Sequence, residues 1–92
     1  MKKIWKYSFL MKPGTFKLNV PRGAKFLTAQ IQYADPVMWA IVEGDEKEVE
    51  SRTFVLLETG GGVLDHPGVL RFMATLQFFG GEYVLHLFEE EK

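Results

Sequence analysis

Asp65, His66 and His86 are the residues whose side chains could do acid–base chemistry near neutral pH. Asp65-His66 could pair a base with the group that orients it, and His86 is the second of two histidines. Nucleophilic catalysis would also need a hydroxyl or thiol poised beside one of them. The chain has no cysteine, and neither Ser8 nor Ser51 sits in a GxSxG elbow. Two histidines without a spaced third ligand make a poor metal site, so no metal and no cofactor is expected. His86 reads as a strand residue bonded to a neighbour such as Thr75. The residues point away from an enzyme.

The same histidine-bearing loop, ETGGGVLDHPG, is rich in glycine. A phosphate-binding loop of the GxxxxGK[ST] kind needs a lysine and a hydroxyl after its last glycine, and none follows Gly61 or Gly62. No βαβ unit surrounds it, which excludes a dinucleotide fingerprint. Thr59, Gly60 and Gly61 could still offer backbone N–H groups to an anion. The alternatives for Gly60–Gly68 are a lid and a simple connection.

Gln30, Gln32 and Trp39 form the most site-like constellation. An indole offers a flat face for stacking, and each amide both donates and accepts. Arg52 opens the following strand and suits a charge-assisted bond to phosphate or carboxylate. A ligand site, a subunit interface and a solvated surface over a small second core are all compatible with this pattern.

These residues must be held by strands. Alternation of apolar and polar residues recurs along the chain, and no segment carries a sustained helical stripe. Pro13-Gly14 marks a turn that would join Lys3–Leu10 to Thr15–Val20 as a hairpin, with Phe9 opposite Phe16, Tyr7 opposite Leu18 and Trp5 opposite Val20. The segment VPRGA leads into Phe26–Tyr33. A tip at Ala34-Asp35 would return the chain along Val37–Glu43, with Gln30 opposite Trp39. The run EGDEKEVES is expected to be a mobile charged connection before Arg52–Thr59. After the glycine loop, Leu70–Phe79 turns at Gly80-Gly81, setting Phe78 against Tyr83, Leu76 against Leu85 and Thr75 against His86. The expectation is a single all-β domain spanning 1–92, a small antiparallel sandwich or open barrel of six to seven short strands.

Composition bounds the class further. Of 92 residues 47% are hydrophobic and 25% charged, the balance of a folded chain. No apolar run reaches the roughly 18–20 residues of a membrane helix, so the expectation is a cytoplasmic protein with no membrane partner. Residues 1–34 hold seven of the 11 Lys and Arg and none of the 12 Asp and Glu. That asymmetry suggests either a basic surface or a basic strand offset by the acidic segments EGDEKEVE and FEEEK. A long nucleic acid is not expected as a partner of a chain carrying net charge −1.

The segments IWKYSF, VPRGAKFLTAQIQ, MWAIVE, SRTFVLLETG and LQFFGGEYVLHLFE, in this order, resemble a family of small proteins frequent in tailed-phage and prophage genomes. The matching positions are Val20 to Ala24, Gln30 and Gln32, Trp39 and Ala40, Arg52 to Phe54, Thr59 and Gly60, and His86 to Glu89. The chain departs from the family pattern at the loop, where Glu58 precedes Thr59-Gly60 and two further glycines follow. The resemblance implies a non-enzymatic binding protein acting in a host cytoplasm, with or without self-association. One such role is sequestration of a nucleotide-like host immune signal: Trp39 on a base, Gln30 and Gln32 on base edges, Arg52 on phosphate, and Thr59, Gly60 and His86 as further contacts. The alternative is a protein–protein module that modulates a host or phage protein.

Overall fold

A computed structural model describes residues 1–61, 66 and 68–91. Among the described residues seven strands are formed: β1 (Lys2–Ser8), β2 (Gly14–Pro21), β3 (Lys25–Gln32), β4 (Asp35–Glu43), β5 (Val49–Glu58), β6 (Leu70–Phe78) and β7 (Tyr83–Glu90). They build two antiparallel sheets, one of order β1-β4-β3 and one of order β2-β5-β7-β6. The molecule is an all-β sandwich. Cα atoms of edge strands β3 and β6 approach within 8 Å, which draws the sheets together on that side.

Period-2 alternation explains the core. Phe26, Ala29, Met38, Ala40 and Val42 of the first sheet meet Val20, Phe54, Leu56, Leu76, Leu85 and Leu87 of the second, all of them buried. An aromatic series runs through it. Phe9 stacks on Phe16 at 5.2 Å, Phe16 on Phe54 at 5.4 Å, and Phe54 meets the edge of Phe26 at 4.9 Å. Fully burying a Phe stabilises by about 1.5–3 kcal/mol, so Phe54 at the centre of this series is a main support.

Three sequence expectations change in the folded chain. First, β1 and β2 are not a hairpin. β1 pairs with β4, from Lys2↔Glu43 to Ser8↔Val37, while β2 pairs with β5, from Gly14↔Leu56 to Pro21↔Val49. The Phe9–Pro13 segment carries the chain between sheets, and Phe9 meets Phe16 across the sandwich. Apolar alternation is satisfied either way, because it fixes a face and leaves the partner open.

Second, the β3–β4 tip is Tyr33-Ala34, which slips the expected register by two: Gln30 lies beside Val37 and Thr28 beside Trp39. An even slip leaves every side chain on its original face. A bulge at Leu27 then shifts the pairing so that Phe26 meets Ala40. Third, the acidic connection is shorter than the sequence suggests, because Val49–Ser51 already belong to β5. The Met1 ammonium pairs with Glu43 and Asp45, and Arg22 pairs with Glu46 and Glu48.

The β6–β7 hairpin has the expected register, from Phe78↔Tyr83 through Leu76↔Leu85 to Thr75↔His86. Gly80 and Gly81 take φ of +68° and +96°, conformations open to glycine at no steric cost. Among the described residues no helix is long and apolar enough to cross a membrane.

Candidate functional site

The outward face of the three-stranded sheet is built from alternate residues of its strands. β1 contributes Lys2, Ile4, Lys6 and Ser8, and β4 contributes Val37, Trp39, Ile41 and Glu43. β3 contributes Lys25, Thr28, Gln30 and Gln32. Cross-strand rows follow from the pairing: Lys6–Trp39–Thr28, Ile4–Ile41–Lys25 and Ser8–Val37–Gln30. Trp39 is half-buried on the central strand, with a lysine on one side and a threonine on the other.

Lys6 Nζ donates to Gln32 Oε1 at 2.9 Å. By register this bond passes over the central strand on the Val37 side of Trp39, and Val37 beneath is only 2% exposed. The bond holds the ammonium over the Val37 side of the strand and leaves the Gln32 amide N–H groups as donors. Toward the other end, Lys2, Lys25, Ile41 and Glu43 line a shallow cavity of about 400 Å³. Among the described residues no lysine is seen in an ion pair. The outward lysines therefore keep a positive field on this face.

Gln30, Gln32 and Trp39 thus share one face, as expected from sequence. Lys2, Lys6 and Lys25 join them. Alternation along β1 places Lys6 on the outward face, and the β1–β4 pairing brings it beside Trp39.

Arg52 is elsewhere, which corrects its expected place beside Trp39. It lies on the inner face of the four-stranded sheet, where Nε donates to Glu89 Oε2 at 2.6 Å. Its Nη1 donates to the Ala24 carbonyl at 2.7 Å and to Glu50 Oε1 at 3.1 Å. The guanidinium also lies 5.2 Å from the centre of the Phe26 ring. Arg71 Nη2 binds the other Glu89 oxygen at 2.7 Å. Glu89, 4% exposed, is held between two arginines. Burial alone would lower the Arg52 pKa, but hydrogen bonds and charge from Glu89 and Glu50 outweigh it and raise it above its ordinary value. Every strong bond of this guanidinium goes to the protein itself.

Thr59, Gly60 and His86 form a separate group on the four-stranded sheet. The Thr59 hydroxyl lies 2.8 Å from His86 Nε2, and the Thr75 hydroxyl lies 3.0 Å from Nδ1. The Thr75 neighbour was expected; Thr59 was not, because it needs β5 beside β7. Both ring nitrogens are occupied by hydroxyls, an arrangement that fixes the ring. His66 Nε2 lies 3.1 Å from Glu90 Oε2. Asp65, with Gly62–Leu64 and Pro67, lies outside the described residues, and so does most of the segment expected to be a lid or a connection. Among the described residues no group of three His, Cys, Asp or Glu could hold a metal ion.

No curated protein and no solved structure matches this chain. One family model does, over residues 1–92, and the chain belongs to that family, described as a domain of unknown function, DUF7352.

Proposed function

We propose that this chain is a non-enzymatic binding protein that sequesters a small nucleotide-like anion on the outward face of its three-stranded sheet. The observation that carries the reading is the Lys6–Trp39–Thr28 row, with Gln30 and Gln32 on the same face. A base stacks on the indole, and the two amides reach its edges; stacking of this kind contributes about 1–3 kcal/mol. The phosphate partner is Lys2 or Lys25 in place of Arg52. The Ile4–Ile41–Lys25 row lies two residues from the Trp39 row, about 6.6 Å along the strand, a separation suited to a base and its phosphate.

Calorimetric titration of the folded chain with nucleotides and nucleotide-derived signalling molecules tests this. Saturable binding should weaken roughly tenfold or more in Trp39→Ala and Lys25→Glu. Absence of binding across the panel by folded protein would overturn the reading.

A protein partner is the second reading. Ile4 at 63% exposure and Leu27 at 45% give this side of the molecule more apolar surface than one base covers. An Ile4→Asp substitution that abolishes capture of a defined protein, while nucleotides fail to bind, would favour it.

A further inference from the structure

A second concavity lies where the chain passes from the end of β1 to the start of β2. A cleft of about 500 Å³ lies there, within the roughly 300–1,000 Å³ usual for small-molecule sites. Its apolar wall is Phe9, Leu10, Pro13, Phe16 and Leu18. Ser8 and Thr15 border it, and Lys12 is the one charged residue among the described residues of the lining.

We infer that this cleft is a second ligand site, for an anionic aromatic molecule of the aryl carboxylate or aryl sulfonate class. The apolar body is indicated by the wall. The Phe9 and Phe16 rings are nearly parallel, 12° apart with centres at 5.2 Å, and give the cleft a flat aromatic lining. The negative charge is indicated by Lys12, whose ammonium is seen in no ion pair among the described residues and stands beside apolar surface, where an ion pair is screened less than in open water. Leu10, 78% exposed, forms the lip. Two further exposed side chains flank this end: Met11, next in the chain, and Tyr33, at the β3–β4 tip beside Pro36, whose carbonyl accepts from the Phe9 N–H at 3.3 Å.

The test uses anilinonaphthalene sulfonate as the probe and uncharged phenylnaphthylamine as its counterpart, each titrated into the folded chain by fluorescence. The sulfonate should occupy one saturable site. Lys12→Glu should weaken the sulfonate roughly tenfold or more and leave phenylnaphthylamine unchanged. Lys12→Gln should do the same to a smaller degree. Leu10→Asp should weaken both probes, and Trp39→Ala should affect neither. Because Leu10 and Lys12 are exposed, these variants should melt as the parent does. Undiminished sulfonate binding in Lys12→Glu, loss of binding shared with Trp39→Ala, or no saturable site at all would overturn the proposal. Failure at the Trp39 face alone would leave the cleft result intact.

Discussion

Arg52 and Glu89 meet at 2.6 Å between neighbouring strands, with both side chains turned into the sandwich. The same guanidinium reaches the Ala24 carbonyl, so one side chain ties the four-stranded sheet to the turn that enters β3. Polar residues on an inner face are tolerated here because each finds a partner.

Removing one member should therefore cost stability. Arg52→Ala leaves Glu89 buried with only Arg71, and Glu89→Ala leaves two arginines without their shared carboxylate. Each should destabilise by about 3 kcal/mol, as breaking buried pairs does. Urea denaturation should show a lower midpoint for both, while an Arg52→Lys variant should recover part of the loss. An unchanged midpoint would mean that the pair is energetically idle.

Phe54 occupies the middle of the aromatic series, in contact with Phe16 and Phe26 and fully buried. Phe54→Ala should cost about 3–5 kcal/mol, through lost transfer energy and an unfilled cavity. Phe54→Leu should cost clearly less. Equal effects would argue that the site collapses around either residue.

The β3–β4 tip places Tyr33 and Ala34 at φ of +51° and +72°. Two-residue hairpin turns with both central residues in this region favour Asn-Gly, since a Cβ there is strained. Ala34→Gly should stabilise by about 1 kcal/mol despite the greater freedom of the unfolded chain. Thermal melting checks the sign. Tyr33, 93% exposed at this tip, should be replaceable by Asn with a similar gain.

The Tyr7 hydroxyl is buried and has no hydrogen-bond partner among the described residues. Burial pushes its phenol above the ordinary value of 10.0. An acid with a raised folded pKa ionises first in the unfolded chain, so its contribution is complete below about pH 10 and is lost as pH rises through the folded value. Tyr7→Phe should match or exceed the parent's stability at neutral pH, by up to about 1 kcal/mol, since an unpaired buried hydroxyl is costly. It should also lose less stability between pH 9 and pH 11 (roughly, from the ordinary Tyr pKa). A steeper alkaline loss in the variant would contradict the assignment.

His86 is clasped by Thr59 and Thr75. His86→Ala should remove two side-chain hydrogen bonds at about 1 kcal/mol or less each, because the group is near solvent. Nucleotide binding should stay as in the parent, since His86 lies on the other sheet. Loss of binding without loss of stability would move the site.

The β6–β7 register from Ala74 to Phe78 was legible, because flanking apolar alternation specifies it from neighbours in the chain, whereas the 3-10 turn of Phe79–Gly81 that replaces a two-residue tip, and the bulge between Phe72 and Ala74, were not. Gln30, Gln32 and Trp39 were legible as one face for a related reason: a slip of two residues moves partners and preserves sides. The lysines of the site were not. Lys6 and Trp39 are more than thirty positions apart, and nothing local in either segment encodes their adjacency.

By itself, the sequence determined which side of its own strand most residues occupy, because backbone pleating alternates side chains with a period of two except where the bulges at Leu27 and Met73 interrupt it. It also determined the all-β class and the register of the closing hairpin from Ala74 to Phe78. Tertiary structure decided which strands are neighbours. β1 beside β4 put Lys6 next to Trp39, β5 beside β7 turned Arg52 onto Glu89, and the passage of Phe9–Pro13 from β1 to β2 shaped the cleft. The physical reason is that an apolar strand face is satisfied by burial against any complementary surface, so the choice of partner rests on packing of the whole chain at once.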